Sequence, residues 1–270
     1  MNETKAIVQT AIANLRSSPT PRAELSSQVL LGYEVKILRE EGKWFKVETD
    51  DGEIGFIHKG SLVPKEEASS FSSLPKVMVN ELYLSLVDPE RGHPILRLPM
   101  GSLLGLVEEE DDRILVALPS GKKGEVPKGS TKKEPLPPPS APEEVISLAE
   151  KLLGIPYLWG GTSPFGFDCS GFIQFIFRLN GLLLPRNSKD QALFGREIEG
   201  DIASLLPADL LFFYEGDYKI GHVALSLGGG EIIHSALSRG GVVRETLIPG
   251  KSNFNEGLLH SFAWARRVLF

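Results

Sequence analysis

The chain contains a single cysteine, Cys169, and its neighbours favour a chemical role over a passive one. A lone cysteine cannot form an internal disulfide, so it is either a small apolar residue or a nucleophile. Asp168 is a good helix N-cap residue, and the apolar spacing over residues 172–179 predicts a buried helix that ends at Asn180-Gly181. Cys169 is therefore expected in the first helical turn. There, unpaired N–H groups stabilise a thiolate and lower the thiol pKa from about 8.5 to roughly 3.5–7.5.

A cysteine nucleophile needs a base, and two histidines occur in one predicted hairpin. His222 lies in a glycine-led apolar run, and His234 lies in a second short run after the turn Gly228-Gly229-Gly230. We expect His222 to be the base and His234 to hold its ring, because a base histidine needs a partner at its other ring nitrogen. The remaining histidines, which we interpret as structural or surface residues, are His58, His93 and His260.

Six short motifs follow one another in the C-terminal half. They are Pro156-Tyr-Leu-Trp-Gly-Gly, Phe167-Asp-Cys-Ser-Gly-Phe, Leu184-Pro-Arg, Ala208-Asp-Leu-Leu-Phe-Phe, Gly221-His-Val-Ala and Ile233-His-Ser. In order and spacing they resemble the NlpC family of papain-like cysteine peptidases. This family cleaves bacterial cell-wall stem peptides, typically between the γ-carboxyl of D-glutamate and a diamino acid. The resemblance implies that Cys169 is the nucleophile, His222 the base and His234 the orienting residue, with Tyr157 beside the nucleophile at the oxyanion site.

The N-terminal half reads as short strands separated by turns, which predicts small β-barrels. Three pieces resemble a bacterial SH3-like domain: Ala13-Asn-Leu-Arg-Ser-Ser-Pro, Gly42-Lys-Trp-Phe-Lys-Val and Gly52-Glu-Ile-Gly-Phe-Ile. The same rhythm returns less clearly further on, where Gly121-Lys-Lys-Gly-Glu-Val echoes the third piece. We therefore predict an SH3-like domain over residues 1–65, a second, diverged one over 66–130, a proline-rich linker over 131–140 and the peptidase domain over 141–270.

Some NlpC-type enzymes with an N-terminal SH3-like domain require a free L-alanine amine two residues before the cleaved bond. Asp168 and Ser170 flank the nucleophile as in that group, and the resemblance implies that they bind this amine and the nearby backbone. Glu24 is a further carboxylate candidate if the first barrel closes one end of the cleft. Asn187 stands where the group usually has an aspartate, which removes one negative charge.

Two other positions bear on substrate binding. Trp159, in the motif that contains Tyr157, is predicted to bind substrate. Glu53 occupies a position that the group often fills with tyrosine. The plainer alternatives are that Asp168 is only an N-cap residue and that Glu24 is only a surface charge.

Composition restricts the class of protein. A net charge of −6 over 270 residues argues against a nucleic-acid partner, and no apolar stretch is long enough to span a membrane. The N-terminal residues lack the pattern of a signal peptide, so the expected location is the cytoplasm, where Cys169 stays reduced. The proposed chemistry needs no metal or organic cofactor, and no ligand set for one is evident. Oligomeric state is left open.

The sequence thus predicts a multidomain protein, with two small all-β SH3-like barrels followed by an α+β papain-like catalytic domain. The leading function is a γ-D-glutamyl–diamino acid endopeptidase that acts on peptidoglycan-derived peptides with a free N-terminal L-alanine, as in murein recycling. Two alternatives remain. One is a thiol amidase or acyltransferase on another substrate, and the other is a non-catalytic protein that binds the cell wall.

Overall fold

A computed structural model describes residues 4–139, 141–199 and 201–269. Contacts between residues divide the chain into two compact units, which span residues 1–136 and 137–270. The division lies within the predicted linker. No helix in the described ranges has the length and apolar character that a membrane crossing requires.

The N-terminal unit begins with a seven-stranded antiparallel sheet. Its strands are β1 (Lys5–Val8), β2 (Ile12–Arg16), β3 (Leu25–Leu30), β4 (Glu34–Glu41), β5 (Trp44–Glu48), β6 (Ile54–His58) and β7 (Leu62–Pro64). They are ordered β3-β2-β6-β5-β4-β1-β7. Alternate apolar residues of these strands face inward, as expected for strands with one buried side. The core they form consists of Ala6, Val8, Ala13, Leu15, Val29, Val35, Val47, Ile57 and Leu62.

A short helix, α1 (Ser69–Ser73), leads into a second sheet of seven strands. These are β8 (Lys76–Val79), β9 (Tyr83–Val87), β10 (Pro94–Pro99), β11 (Leu103–Glu109), β12 (Arg113–Ala117), β13 (Lys123–Pro127) and β14 (Thr131–Lys133). Their order, β10-β9-β13-β12-β11-β8-β14, repeats that of the first sheet strand for strand. The prediction of a second, diverged copy of the first domain requires such a repetition of the strand order.

The start of the predicted linker was wrong. Residues 131–133 form β14 and pair with β8, with Lys133 opposite Val77. The proline-rich composition that suggested a linker begins after this strand, at Pro135. The second sheet therefore extends beyond the predicted boundary at residue 130.

The C-terminal unit combines four helices with a six-stranded antiparallel sheet. The helices are α2 (Pro142–Lys151), α3 (Cys169–Arg178), α4 (Ser188–Gln191) and α5 (Glu256–Ser261). The strands of a small two-stranded ribbon are β15 (Thr162–Ser163) and β16 (Gly166–Phe167). Those of the main sheet are β17 (Arg196–Ile198), β18 (Leu210–Glu215), β19 (Lys219–Gly228), β20 (Glu231–Ala236), β21 (Gly241–Thr246) and β22 (Phe262–Arg267). Their order is β17-β22-β18-β19-β20-β21.

Helix α2 buries Val145 and Ala149. Its N-cap residue is Ala141, which makes no side-chain capping bond. The sequence predicts Ser140 as the cap of this helix, and Ser140 lies outside the described residues. Helix α3 packs on β19 and β20, so the helix of the cysteine lies against the strands of the two histidines. Aromatic side chains fill this unit, and those that are fully buried are Phe167, Phe172, Phe177, Phe212 and Phe213.

Candidate active site

Cys169 is the first residue of α3, as the sequence predicted. The Asp168 side chain caps the helix by accepting a hydrogen bond from the Gly171 N–H at 2.6 Å. A side chain at position 171 would collide with the carbonyl oxygen of Gly161, so only glycine lets the loop approach the first turn this closely. The loop and the cap together fix the cysteine at the positive end of the helix.

The strand that carries His222 passes directly beside the cysteine. Cys169 Sγ lies 3.8 Å from the carbonyl oxygen of Gly221, and the backbone N–H of Val223 also hydrogen-bonds to the sulfur. These two residues flank His222 in β19. On the neighbouring strand β20, Ser235 Oγ donates a hydrogen bond to the Phe167 carbonyl at 2.7 Å. This bond links the sheet to the segment that precedes the nucleophile.

The two hairpin histidines contact each other. The turn between their strands has positive φ at Gly228, Gly229 and Gly230, which explains its composition. His222 Nε2 and His234 Nδ1 are 2.7 Å apart, a hydrogen bond between the rings. His234 is 1% exposed, so its ring is held inside the sheet. This is the geometry that the predicted orienting role requires.

The chain of contacts continues to a residue that the sequence analysis missed. His234 Nε2 lies 2.8 Å from Glu245 Oε2 on the neighbouring strand β21. Glu245 is itself buried and also contacts Arg239 and Asn255. A carboxylate on β21, two strands along from the strand of His222, thus ends the line of hydrogen bonds that begins at His222.

The prediction of a low pKa for Cys169 was wrong, because its surroundings raise the pKa. Burial and the neighbouring Asp168 charge raise the pKa of Cys169 to about 12, and they outweigh the N–H groups of Val223 and Ser170, which lower it. Burial, and then the nearby His234, lower the pKa of His222 to about 3. Both shifts favour uncharged groups, because a buried charge loses its hydration. The resting pair is therefore a thiol and a neutral imidazole.

Asp168 has a partner that its motif did not reveal. Arg186, 2% exposed, forms a bidentate ion pair with it, with 3.0 Å from Nη1 to Oδ1 and 2.5 Å from Nη2 to Oδ2. Oδ2 also accepts the Gly160 N–H at 3.0 Å, and Arg186 donates to Ser170 Oγ at 3.0 Å. The Asp168 charge is thus neutralised internally. Of its contacts only the bond from the Gly171 N–H is an N-cap bond, and the predicted binding of an amine by Asp168 and Ser170 stays a prediction.

The other predicted residues of this unit occupy different parts of the site. Burial, and then the neighbouring Cys169 and Asp168, raise the pKa of the half-buried Tyr157 to about 12, so its hydroxyl keeps its proton. Trp159 is 63% exposed in the loop before β15. Asn187 is half-buried and caps α4 with its carbonyl. Glu24, exposed before β3, belongs to the N-terminal unit, and its predicted role stays a prediction.

A buried cysteine at a helix N-terminus, beside a histidine that a second polar residue orients, is the arrangement of a cysteine peptidase. Comparisons with known proteins agree. The model of the NlpC/P60 family matches residues 154–258, and that of the bacterial SH3 domain matches residues 11–63.

Relatives resemble the chain over most of its length. A protein of Bacillus cereus named gamma-D-glutamyl-L-lysine dipeptidyl-peptidase is 31% identical over 261 residues, which cover 91% of this chain and 76% of the relative. A Bacillus subtilis protein of the same name is 33% identical over 230 residues, 78% of this chain and 72% of the relative. The crystal structure of an NlpC/P60 family protein from Bacillus cereus superposes with a TM-score of 0.86 at 27% identity, and the match covers 98% of this chain and 99% of that one. The chain belongs to the NlpC/P60 family of cysteine peptidases.

Proposed function

We propose that the protein hydrolyses the bond between the γ-carboxyl of D-glutamate and the diamino acid in peptidoglycan stem peptides. We further propose that it acts on peptides with a free N-terminal L-alanine, which are released from the wall, as in murein peptide recycling. The names of the two relatives support the substrate class. The observation that carries the proposal is the contact of Cys169 with the backbone on both sides of His222.

Proton transfer accompanies the attack, because the resting pair is neutral. His222 accepts the thiol proton as Sγ bonds to the γ-carbonyl carbon, and the carbonyl π electrons move to the oxygen. Protonated His222 then gives its proton to the leaving amine of the diamino acid, which leaves a thioester on Cys169. A water molecule, deprotonated by His222, hydrolyses the thioester and restores the thiol.

The oxyanion forms beside the N-terminus of α3. We propose that the oxyanion accepts hydrogen bonds from N–H groups of the first helical turn and from the Tyr157 hydroxyl. The Tyr157 hydroxyl can donate because its pKa of about 12 keeps it protonated at neutral pH. The positive end of the helix adds a favourable field for the same charge. Tyr157 would thus bind the transition state more tightly than the substrate.

We propose that Asp168 and Ser170 take part in binding the free amine, and that a second anion strengthens this binding because Arg186 already compensates the Asp168 charge. Glu215, an exposed residue at the end of β18, is a candidate within the C-terminal unit. Its side chain lies over the Cα of Gly221, whose carbonyl contacts Cys169 Sγ, and its charge raises the pKa of Tyr157. We propose that Glu215 contributes to binding the substrate ammonium.

Synthetic tripeptides test the function directly. L-Ala-γ-D-Glu-L-Lys and its meso-diaminopimelate counterpart are incubated with the full chain, and the products are identified by mass spectrometry. Release of L-Ala-D-Glu and the free diamino acid is expected, and an α-linked D-Glu isomer is the matched control that stays intact. Cys169→Ala and His222→Ala should each abolish turnover, because nucleophile and base act as one unit.

The N-acetylated tripeptide tests the free-amine requirement separately. We expect it to be cut roughly a hundredfold more slowly, since one charge-assisted hydrogen bond contributes about 1.5–3 kcal/mol. Equal rates on blocked and free peptides would refute the amine requirement and leave the peptidase assignment intact. No cleavage of either γ-linked peptide would refute the proposed function.

A further inference from the structure

Glu245 receives donors from three separate segments. His234 Nε2 of β20 lies 2.8 Å from Oε2, and Asn255 Nδ2 donates to the same oxygen at 2.7 Å. Arg239 holds the other oxygen, Oε1, at 2.8 Å from Nε and 2.7 Å from Nη2. The residue is 5% exposed. A carboxylate with this many donors has a single orientation.

These donors keep Glu245 ionised. Burial would raise the pKa of Glu245, but the hydrogen bonds from His234, Asn255 and Arg239 lower it to about 2. The Asn255 amide is fixed as well, because its Oδ1 accepts the Leu258 N–H at 3.0 Å and caps α5. Its nitrogen must therefore face Glu245.

An ionised carboxylate only accepts hydrogen bonds, and this gives the chain of contacts one direction. His234 must carry its proton on Nε2 to donate to Glu245, so neutral His234 accepts at Nδ1. His222 must then donate from Nε2 to that nitrogen, at 2.7 Å. The unprotonated Nδ1 of neutral His222 is left as the base.

We propose that Glu245 is a positioning residue that sets the tautomers of both histidines and, through His234, stabilises the imidazolium formed on His222. The inference rests on His222 as the base of the proposed function. Arg239 and Asn255 hold the carboxylate in place, and neither contacts His222 in any hydrogen bond that the structure gives for the described residues. The sequence of contacts runs across three adjacent strands, β19, β20 and β21.

Glu245→Gln reverses the direction of these hydrogen bonds. The cationic Arg239 retains the single amide oxygen, so the amide nitrogen takes the place of Oε2 and faces His234. His234 then has to accept at Nε2 and donate from Nδ1, which puts the His222 proton on Nδ1. We expect kcat to fall roughly 10- to 100-fold with KM within about twofold. The fall is smaller than the ~10⁴ found where such a carboxylate contacts the base directly.

Glu231→Gln is the matched control. Glu231 lies on β20, 3.6 Å from Arg244 of β21, outside the hydrogen bonds of the histidines, and its variant should keep the wild-type kcat. Glu245→Gln with a kcat within twofold of this control would overturn the proposal.

The wild-type protein gives a second measurement that needs neither substrate nor a stable variant. With ¹⁵N-labelled histidine, NMR spectra assigned from His222→Gln and His234→Gln should show both rings protonated on Nε2 at pH 7. Protonation of His222 on Nδ1 would overturn the proposal even if the variant did not fold. Because this readout involves no turnover, it is independent of which peptide the enzyme cleaves.

Discussion

Loss of the Arg186 side chain should destabilise the C-terminal unit more than any surface substitution. Arg186→Leu removes both hydrogen bonds to Asp168 and one to Ser170, all within 3.0 Å. The side chains of Arg186 and Asp168 are only 2% and 11% exposed, so the variant leaves a buried carboxylate without its counter-charge. Breaking such a pair from one side costs about 3–5 kcal/mol, and we expect a loss in that range.

Urea unfolding followed by tryptophan fluorescence measures this loss. The chain has three tryptophans, of which Trp44 lies in the N-terminal unit, so a Trp44→Phe background reports on the C-terminal unit alone through Trp159 and Trp264. The double variant Asp168→Asn/Arg186→Leu removes both charges and keeps an amide that can cap α3. It should recover to within about 2 kcal/mol of wild type.

An exposed arginine supplies the control. Arg244→Leu removes a cation whose side chain is 49% exposed and lies 3.6 Å from Glu150 and Glu231, and it should change stability by less than about 0.5 kcal/mol. A loss of less than about 1 kcal/mol for Arg186→Leu would contradict this prediction. A double variant as unstable as the single one would contradict it as well, since the cost would then not come from the unpaired charge.

Three further outcomes are expected. Because burial raises the pKa of Cys169 to about 12, iodoacetamide should label it slowly at pH 6 and about tenfold faster per pH unit up to pH 9; a fast, flat rate would reveal a resting thiolate. Glu245 has its pKa lowered from 4.5 to about 2, so its stabilisation is complete above pH 4.5 and lost as pH falls towards 2. Urea unfolding of wild type and Glu245→Gln should therefore differ more at pH 7 than at pH 3. Glu215→Gln should raise KM for the free-amine tripeptide and leave the rate on the N-acetylated one unchanged, and equal effects on both would exclude Glu215 from amine binding.

The surroundings of Cys169 were predictable because their signals act over short stretches of chain. An N-cap residue, an apolar helical stripe and a glycine stop all operate within one or two turns, and α3 begins and ends where they place it. The hairpin of His222 and His234 is equally local. Its glycine turn places the two strands side by side, and the two rings are in contact across them.

Glu245 and Arg186 depend on contacts that no local pattern encodes. In the pairing of β20 with β21, His234 lies opposite Val243 and Ile232 lies opposite Glu245, so the histidine and the carboxylate meet diagonally across the strands. That register cannot be read from the sequence of either strand. Arg186 contacts Asp168 although the two residues are eighteen positions apart in the sequence. Only the motif Leu184-Pro-Arg drew attention to this arginine, and the motif does not indicate its partner.

A short repeat in the sequence marks the strand that lies at the start of the predicted linker. Lys59-Gly60-Ser61 precedes β7, and the same three residue types at 128–130 precede β14. The repeat predicts a closing strand in both places. Composition was a poorer guide than this repeat, because the prolines begin only five residues after it.

The pairing of the last strand with the first in each N-terminal sheet has a consequence for how such domains are duplicated in evolution. In both sheets the last strand returns to pair with the first, so Pro64 lies opposite Ala6 and Lys133 lies opposite Val77. Each module therefore begins and ends at nearly the same place. Segments with adjacent ends can be copied in tandem or inserted into a chain without rearranging what precedes or follows them. A gene that encodes one such module can add another by simple duplication, and the new copy can diverge while the first keeps its role.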